Sequence, residues 1–240
     1  KRDETDIRLN NGYGKYLYNK GRFAESEKYF RQAIKSSTWK NPNPYDCEPY
    51  YNLGLSLKKQ GKINTAFDAF YKAVWDGNMQ DKAFYQLACI ASGRGDYDAL
   101  EYIEKSLVKG MHNLKARTLK LALLRKLGKN TEATEFAKET RNIDALDHSA
   151  YYELYKLNGN GLDEMQAVMR GDNHNYIELA LSYMSAYLTD DAIEILKLAP
   201  NDNEPMVHYY LYALTNDKSE LDKAENSDSL YCFPNRLEDI

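Results

Sequence analysis

The amino-acid sequence predicts an all-α chain built as a row of stacked helical hairpins. Three observations lead there. Apolar residues recur at the 3.6-residue helical period over long stretches. No run alternates apolar and polar residues between hairpin turns, as strands would. One block of sequence also recurs along the chain. Laid against "LNNGYGKYLYNKGRFAESEKYFRQAI", the stretch "YYNLGLSLKKQGKINTAFDAFYKAV" places Gly14 over Gly54, Gly21 over Gly61, Phe23 over Ile63, Phe30 over Phe70 and Ala33 over Ala73.

The repeat divides a single domain, 1–240, into units at about 7–40, 47–80, 81–112, 114–147, 148–171, 173–205 and 206–230. Gly54 falls mid-helix, where Gly costs about 1 kcal/mol against Ala. The absent side chain is expected to admit the second helix of the pair closely, with Ala66 as its small partner. Gly61 follows at the place where a left-handed residue ends a helix cheaply, and Leu53, Leu57, Phe70 and Val74 supply the apolar ridges. The third unit repeats the pattern in Leu87, Ala88, Gly95, Tyr97 and Ala99. In the fourth, Gly128 and Ala133 match, but Leu121 stands where a small residue is usual, which predicts a splayed hairpin. The fifth, about Ser149 to Met169, is broken by "NGNG" at Asn158 to Gly161. The sixth recovers the pattern in Leu179, Ala180, Tyr183, Ala192, Leu196 and Ala199. A seventh follows Pro205 with "MVHYYLYAL" and a short polar second helix around Leu221 to Ala224. An insertion, 37–49, carries Asn-Pro turn chemistry and is expected to form an ordered loop.

These glycines, alanines and apolar ridges resemble the tetratricopeptide repeat, a helical hairpin of about 34 residues. The resemblance covers nearly the whole chain and implies a right-handed α-α superhelix, a solenoid of six to seven hairpins. The combination of "NPNPYDCEPYYNLGLSLKKQG", "DAFYKAVWDGNMQDKAFYQLA", "KARTLKLALLRKLG" and "YCFPNRLE" further resembles the helical-repeat half of large bacterial proteins. Those carry a β-rich N-terminal domain of unknown function linked to carbohydrate handling, which implies a supporting or recognition role beside a sugar-related module.

Composition bounds the function. With 43% hydrophobic and 28% charged residues among 240, the chain is globular rather than disordered. Charges interrupt every apolar run well before the roughly 20 residues of a membrane span. Cys47, Cys89 and Cys232 are odd in number and far apart, which points to reduced thiols in a cytoplasmic compartment. A start at Lys1-Arg2-Asp3, with no initiator Met and no signal-like stretch, is expected of a piece of a longer protein. His112, His148, His174 and His208 lie in different repeats without ligand spacing, and no phosphate loop or serine elbow appears. No catalytic residue, metal or cofactor is therefore assigned. Asp190 and Asp191 suit a helix N-terminus, and Cys89, lacking an activating base, reads as a buried thiol.

In such arrays the first helix of each hairpin lines the concave side. Alignment assigns to it Asn11, Lys15 and Tyr18; Tyr51, Asn52, Leu55 and Lys58; Lys82, Tyr85 and Cys89; Lys115, Thr118, Arg125 and Lys126; then Tyr152, His174, Ile177 and Met184. This cationic and aromatic set suits an extended acidic or carboxylate-bearing peptide. The competing reading is that the charges are simply solvated and the tyrosines pack between helices. Asn11, Lys15, Asn52, Lys82 and Gln86 stand at the positions of the carboxylate clamp of chaperone-binding tetratricopeptide domains, with the first pair exchanged and the clamp's Arg replaced by Gln. From Lys105 to Thr131 eight basic residues and His112 occur without an acidic one. Their spread round the helices and a pI of about 5.7 argue against nucleic acid and for an acidic protein partner or the acidic segment Asp217 to Asp228. The expectation is a non-enzymatic interaction scaffold with a protein or peptide partner in its concave groove and no membrane association. Two alternatives are glycan contact through Tyr51, Tyr85, Tyr152 and Trp75 beside a catalytic domain elsewhere, and self-association through the terminal repeats.

Overall fold

The computed structural model describes residues 4–95, 97–200, 203–228, 230, 232, 236 and 237. Lys1 to Asp3 and most of the aromatic tail from Ser229 lie outside them. Among the described residues there are fourteen helices and no strand. They are α1 (Ile7–Asn19), α2 (Phe23–Thr38), α3 (Glu48–Lys59), α4 (Ile63–Ala73), α5 (Gln80–Arg94), α6 (Ala99–Lys109), α7 (Leu114–Lys126), α8 (Asn130–Ile143), α9 (His148–Asn158), α10 (Leu162–Met169), α11 (Asn173–Ser185), α12 (Thr189–Lys197), α13 (Pro205–Thr215) and α14 (Lys218–Asn226). Consecutive helices pair into seven hairpins, and each hairpin stacks on the next to form a superhelix.

The turn inside each hairpin is chemical before it is tertiary. Gly61 sits just past α3 at φ +73°. Its N–H donates to the Lys58 carbonyl and the Lys62 N–H to the Leu57 carbonyl, so the last α3 carbonyls are satisfied as the chain reverses. The same paired bonds follow α1 at Gly21 and α7 at Gly128. They recur after α11, but there the left-handed residue is Tyr187, at φ +60°. A bulky side chain in that conformation is an outlier that its surroundings must hold.

Gly54 shows what the mid-helix glycine is for. A Cβ on it would lie 2.6 Å from Cε1 of Phe70, and one on Gly14 would lie 2.6 Å from Cε1 of Phe30. The space expected to admit Ala66 is therefore filled by the Phe70 ring; Ala66 itself is fully buried. Burying such a ring contributes about 1.5–3 kcal/mol, which outweighs the helical cost of the glycine. Phe70 joins Phe30, Leu53, Leu57, Leu87 and Ile90 in the core of the first three hairpins. From α5 onward a second, larger core runs through Ile103, Leu119, Tyr152, Tyr176, Tyr183 and Leu211.

The middle hairpins depart from the pattern. α7 and α8 touch less extensively than α1 and α2, and Leu121 fills the gap with Ala137 and Ala150. Beside it Arg117 is almost wholly buried, stacked 4.2 Å from the Phe136 centroid and donating to Thr140 Oγ1, Glu139 and the Met111 carbonyl. α10 is only eight residues long, and anchors through Met165 and Met169. The inserted loop after α2 is ordered by local chemistry: Asn43 N–H donates to Asn41 Oδ1, and Cys47 N–H reaches Asp76 Oδ2 beyond α4. Trp39 and Tyr45 project from it into solvent, and Trp75, beyond α4, is also exposed.

Candidate partner-binding groove

The first helices carry the side chains assigned to the concave surface, and the structure sorts them into a rim and a floor. At the rim, Glu48 opens α3 and its carboxylate points back to α1. Asn11 Nδ2 donates to Glu48 Oε2 at 2.6 Å and Lys15 Nζ to Oε1 at 3.0 Å, while Asn52 Nδ2 donates to Asn11 Oδ1 at 2.9 Å and fixes its orientation. Two of the residues at the clamp positions thus hold a carboxylate of the chain itself, and a third, Asn52, orients one of them. Tyr18 packs edge-on against Phe23 at 5.3 Å. Tyr51 lies 5.7 Å from the Phe70 ring, and burial pushes its phenol up to about 12, opposed by a hydrogen bond with Gln86. Lys82 on α5 and Lys115 on α7 are exposed and have no ion-pair or hydrogen-bond partner among the described residues. Lys115, Thr118, His148, Glu178 and Ser182 border a cleft of about 270 Å³.

The floor is occupied. Lys58 Nζ donates to Gln86 Oε1 at 3.1 Å and to the Ser185 carbonyl at 3.0 Å, and stands 5.5 Å from the Tyr187 ring centroid. Tyr85 shares a hydroxyl–hydroxyl bond with Ser185 at 3.2 Å. A Cβ on Gly93 would lie 2.6 Å from the Tyr187 ring. The end of α11 and the turn after it therefore sit in the groove between α3 and α5, and the inserted loop 37–49 does not fill this seat. Burial lowers the Lys58 ammonium and raises the Tyr85 phenol. Cys89 lies beneath them, wholly buried, its thiol pushed up by burial, against any nucleophilic role. Leu55 and Ile177 pack into the apolar cores, Met184 is half-buried, and His174 is exposed at the start of α11.

Arg125 belongs to the interior of the array. Its guanidinium donates to both oxygens of the fully buried Glu153 and to Asp191 Oδ1 at 2.6 Å, and Lys126 Nζ lies 3.1 Å from Asp191 Oδ2. Tyr183 donates to Glu153 Oε1 and Tyr152 to Asp191 Oδ1. Burial raises the Glu153 carboxyl, with the Arg125 and Tyr183 hydrogen bonds opposing it. The network ties α7, α9, α11 and α12 together. Four more of the basic run are paired, Lys105 with Glu101, Lys120 with Glu104, Arg117 with Glu139 and Lys129 with Glu132, while Lys109 and Lys115 stand exposed. The acidic segment 217–228 instead pairs internally and with His208, through Glu220. Of the aromatics named for glycan contact, Tyr152 and Tyr85 are buried.

One surface was not singled out by sequence. Tyr13, Tyr16 and Tyr29 cluster at the amino-terminal end face, with Tyr13 edge-on to Tyr29 at 4.7 Å, over a cleft of about 980 Å³ that Arg8, Lys28 and Lys35 border. The three-residue spacing of Tyr13 and Tyr16 on one helical face was the available signal. Among the described residues no cluster of three His, Cys, Asp or Glu could hold a metal ion, and no helix is long and apolar enough to cross a membrane.

Residues 7–37 and 48–74, the first two hairpins, match the family model described as the tetratricopeptide repeat. Solved structures extend the likeness to the whole array. A tetratricopeptide repeat protein from Parabacteroides merdae is 16% identical at a TM-score of 0.61, over 91% of this chain and 89% of its own. YrrB, described as a tetratricopeptide repeat protein with an unusual peptide-binding site, is 15% identical at a TM-score of 0.54, over 93% of each chain. The C-terminal part of a repeat-containing protein from Cytophaga hutchinsonii is 13% identical at 0.56, over 92% and 89%. At these identities the likeness is one of fold.

Proposed function

We propose that this tetratricopeptide solenoid is a non-enzymatic interaction scaffold that holds an acidic or carboxylate-bearing peptide segment along the rim of its concave side. The carrying observation is Glu48: the rim already grips a carboxylate with Asn11 and Lys15, and Asn52 orients the grip. Beyond it Lys82 and Lys115 continue the row on α5 and α7 as exposed cations, and Tyr18 and Tyr51 add stiff amphipathic surface. The fold of YrrB, described as having a peptide-binding site, supports the use of such a surface.

The test is selection of binders from a library of acidic peptides with free C-termini, followed by affinity measurement on Lys82→Glu/Lys115→Glu. Arg125 and Lys58 are unsuitable because their charges hold the array together. Loss of about tenfold or more in affinity, with binding that weakens as salt rises, is the expected result. Equal affinity for parent and variant overturns the rim assignment.

A further inference from the structure

Tyr187 unites two oddities. It occupies, in the left-handed conformation, the place that Gly21, Gly61 and Gly128 hold in their hairpins. Its ring also lies against Gly93, in space that any side chain at position 93 would claim. A tyrosine is an expensive choice for that turn unless the ring is used elsewhere. It is used across the superhelix: Lys58 stands over the ring and bonds the Ser185 carbonyl, and Tyr85 bonds the Ser185 hydroxyl. Arg236 to Glu178, at 2.6 Å, and Lys59 to the Leu237 carbonyl, at 2.6 Å, close the same face from the carboxy-terminal side.

We propose that the Ser185–Tyr187 turn is a latch that closes the concave groove over α3 and α5, and that a partner reaching the groove floor must displace it. The contact joins Lys58 to Ser185, 127 positions apart, and adds the Tyr85 bond, the Tyr187 ring and buried Ala186, while Tyr187 is still 40% exposed. The backbone bonds of the turn itself, Tyr187 to Met184 and Leu188 to Tyr183, are local, so opening the contact leaves that hairpin's turn intact. The seat also describes its occupant: an aromatic ring fits bare Gly93, while a neighbouring carbonyl and hydroxyl satisfy Lys58 and Tyr85. The partner's role rests on the rim reading above; the latch does not.

Cys89 is a native reporter, since it lies buried beneath Lys58, Tyr85 and Ser185, whereas Cys47 is buried at the opposite end of α3 from Lys58, beside Asp76. Alkylation by iodoacetamide, mapped by mass spectrometry, is compared at the two thiols in the parent, Tyr187→Gly and Gly93→Ala. Tyr187→Gly puts at the turn the residue its backbone favours, so the hairpin is not weakened while the ring is lost. Gly93→Ala favours the helix but drives a Cβ into the ring. Both are expected to raise the Cys89 rate about tenfold relative to Cys47. Combined, they should act no more strongly than Tyr187→Gly alone, because the clash needs the ring. A Cys89 rate unchanged in both variants, or rates at Cys89 and Cys47 rising together, overturns the latch. Lys82→Glu/Lys115→Glu leaves every latch residue intact, so failure of the rim reading and failure of the latch are separate results.

Discussion

Single residues in this array gain their worth from what lies across a turn or a stack. Glu27 on α2 accepts from Lys62 and Gln60 of the second hairpin and from Arg31 one turn on. Burial would raise its carboxyl, but the Lys62, Arg31 and Gln60 hydrogen bonds prevail and hold it at about 2, against an ordinary 4.5. The folded-state value is depressed, so this contribution to stability is complete above about pH 4.5 and is lost as pH falls toward about 2. Glu27→Gln is expected to lower stability near neutrality and to flatten the dependence across that window, as read by urea midpoints at a series of pH values. A slope equal to the parent's would mean that another carboxylate carries it.

At the scale of helices, the ion network around Arg125 is the test of what holds the irregular middle together. Glu153 is wholly buried, so removing its cation strands a charge in the core, at a cost of about 3–5 kcal/mol. Arg125→Met is expected to lose that much stability by denaturant titration, and Arg125→Met/Glu153→Met to recover much of it. If the double variant is no better than the single, Asp191 rather than Glu153 is the stranded partner. This network also marks where sequence stopped being legible. The first two hairpins are plain because Gly14 with Phe30 and Gly54 with Phe70 are local pairs that recur in register. The basic run looked like a binding field because its counter-charges, such as Glu153 and Asp191, come from helices 28 and 66 residues away. Arg117, too, gave no sign of burial, since its side-chain acceptors, Thr140 and Glu139, lie on α8. Tyr187 escaped notice because the sequence mark of a left-handed turn is glycine.

Over the whole molecule, the repeat assigns a set of helix positions to a groove but carries no mark of what packs against them. Stacking rules fix which helix faces inward; how far the superhelix curls depends on every small rotation between hairpins, the loose fourth and short fifth included. The curl brings the end of α11 onto the second and third repeats, where Lys58 and Tyr85, both assigned to partner contact, bond Ser185. Among the chosen cations Lys15, Lys82, Lys115 and Lys126 remain exposed, with Lys15 engaged by Glu48 and Lys126 by Asp191.

That closure changes the kind of chain this is for folding. A linear array has only nearest-neighbour terms, so it can begin folding anywhere and fray from its ends. A bond spanning 127 residues adds a loop whose entropy is lost only when both halves already exist. The closure should therefore form last and break first, and while intact it should couple the two apolar cores. Urea unfolding followed by backbone amide exchange is expected to protect α3 and α11 to nearly the same degree in the parent. In Tyr187→Gly the two should part, the amino-terminal hairpins outlasting the rest. Parting in the parent as well would mean that the halves melt as separate cooperative units despite their contact.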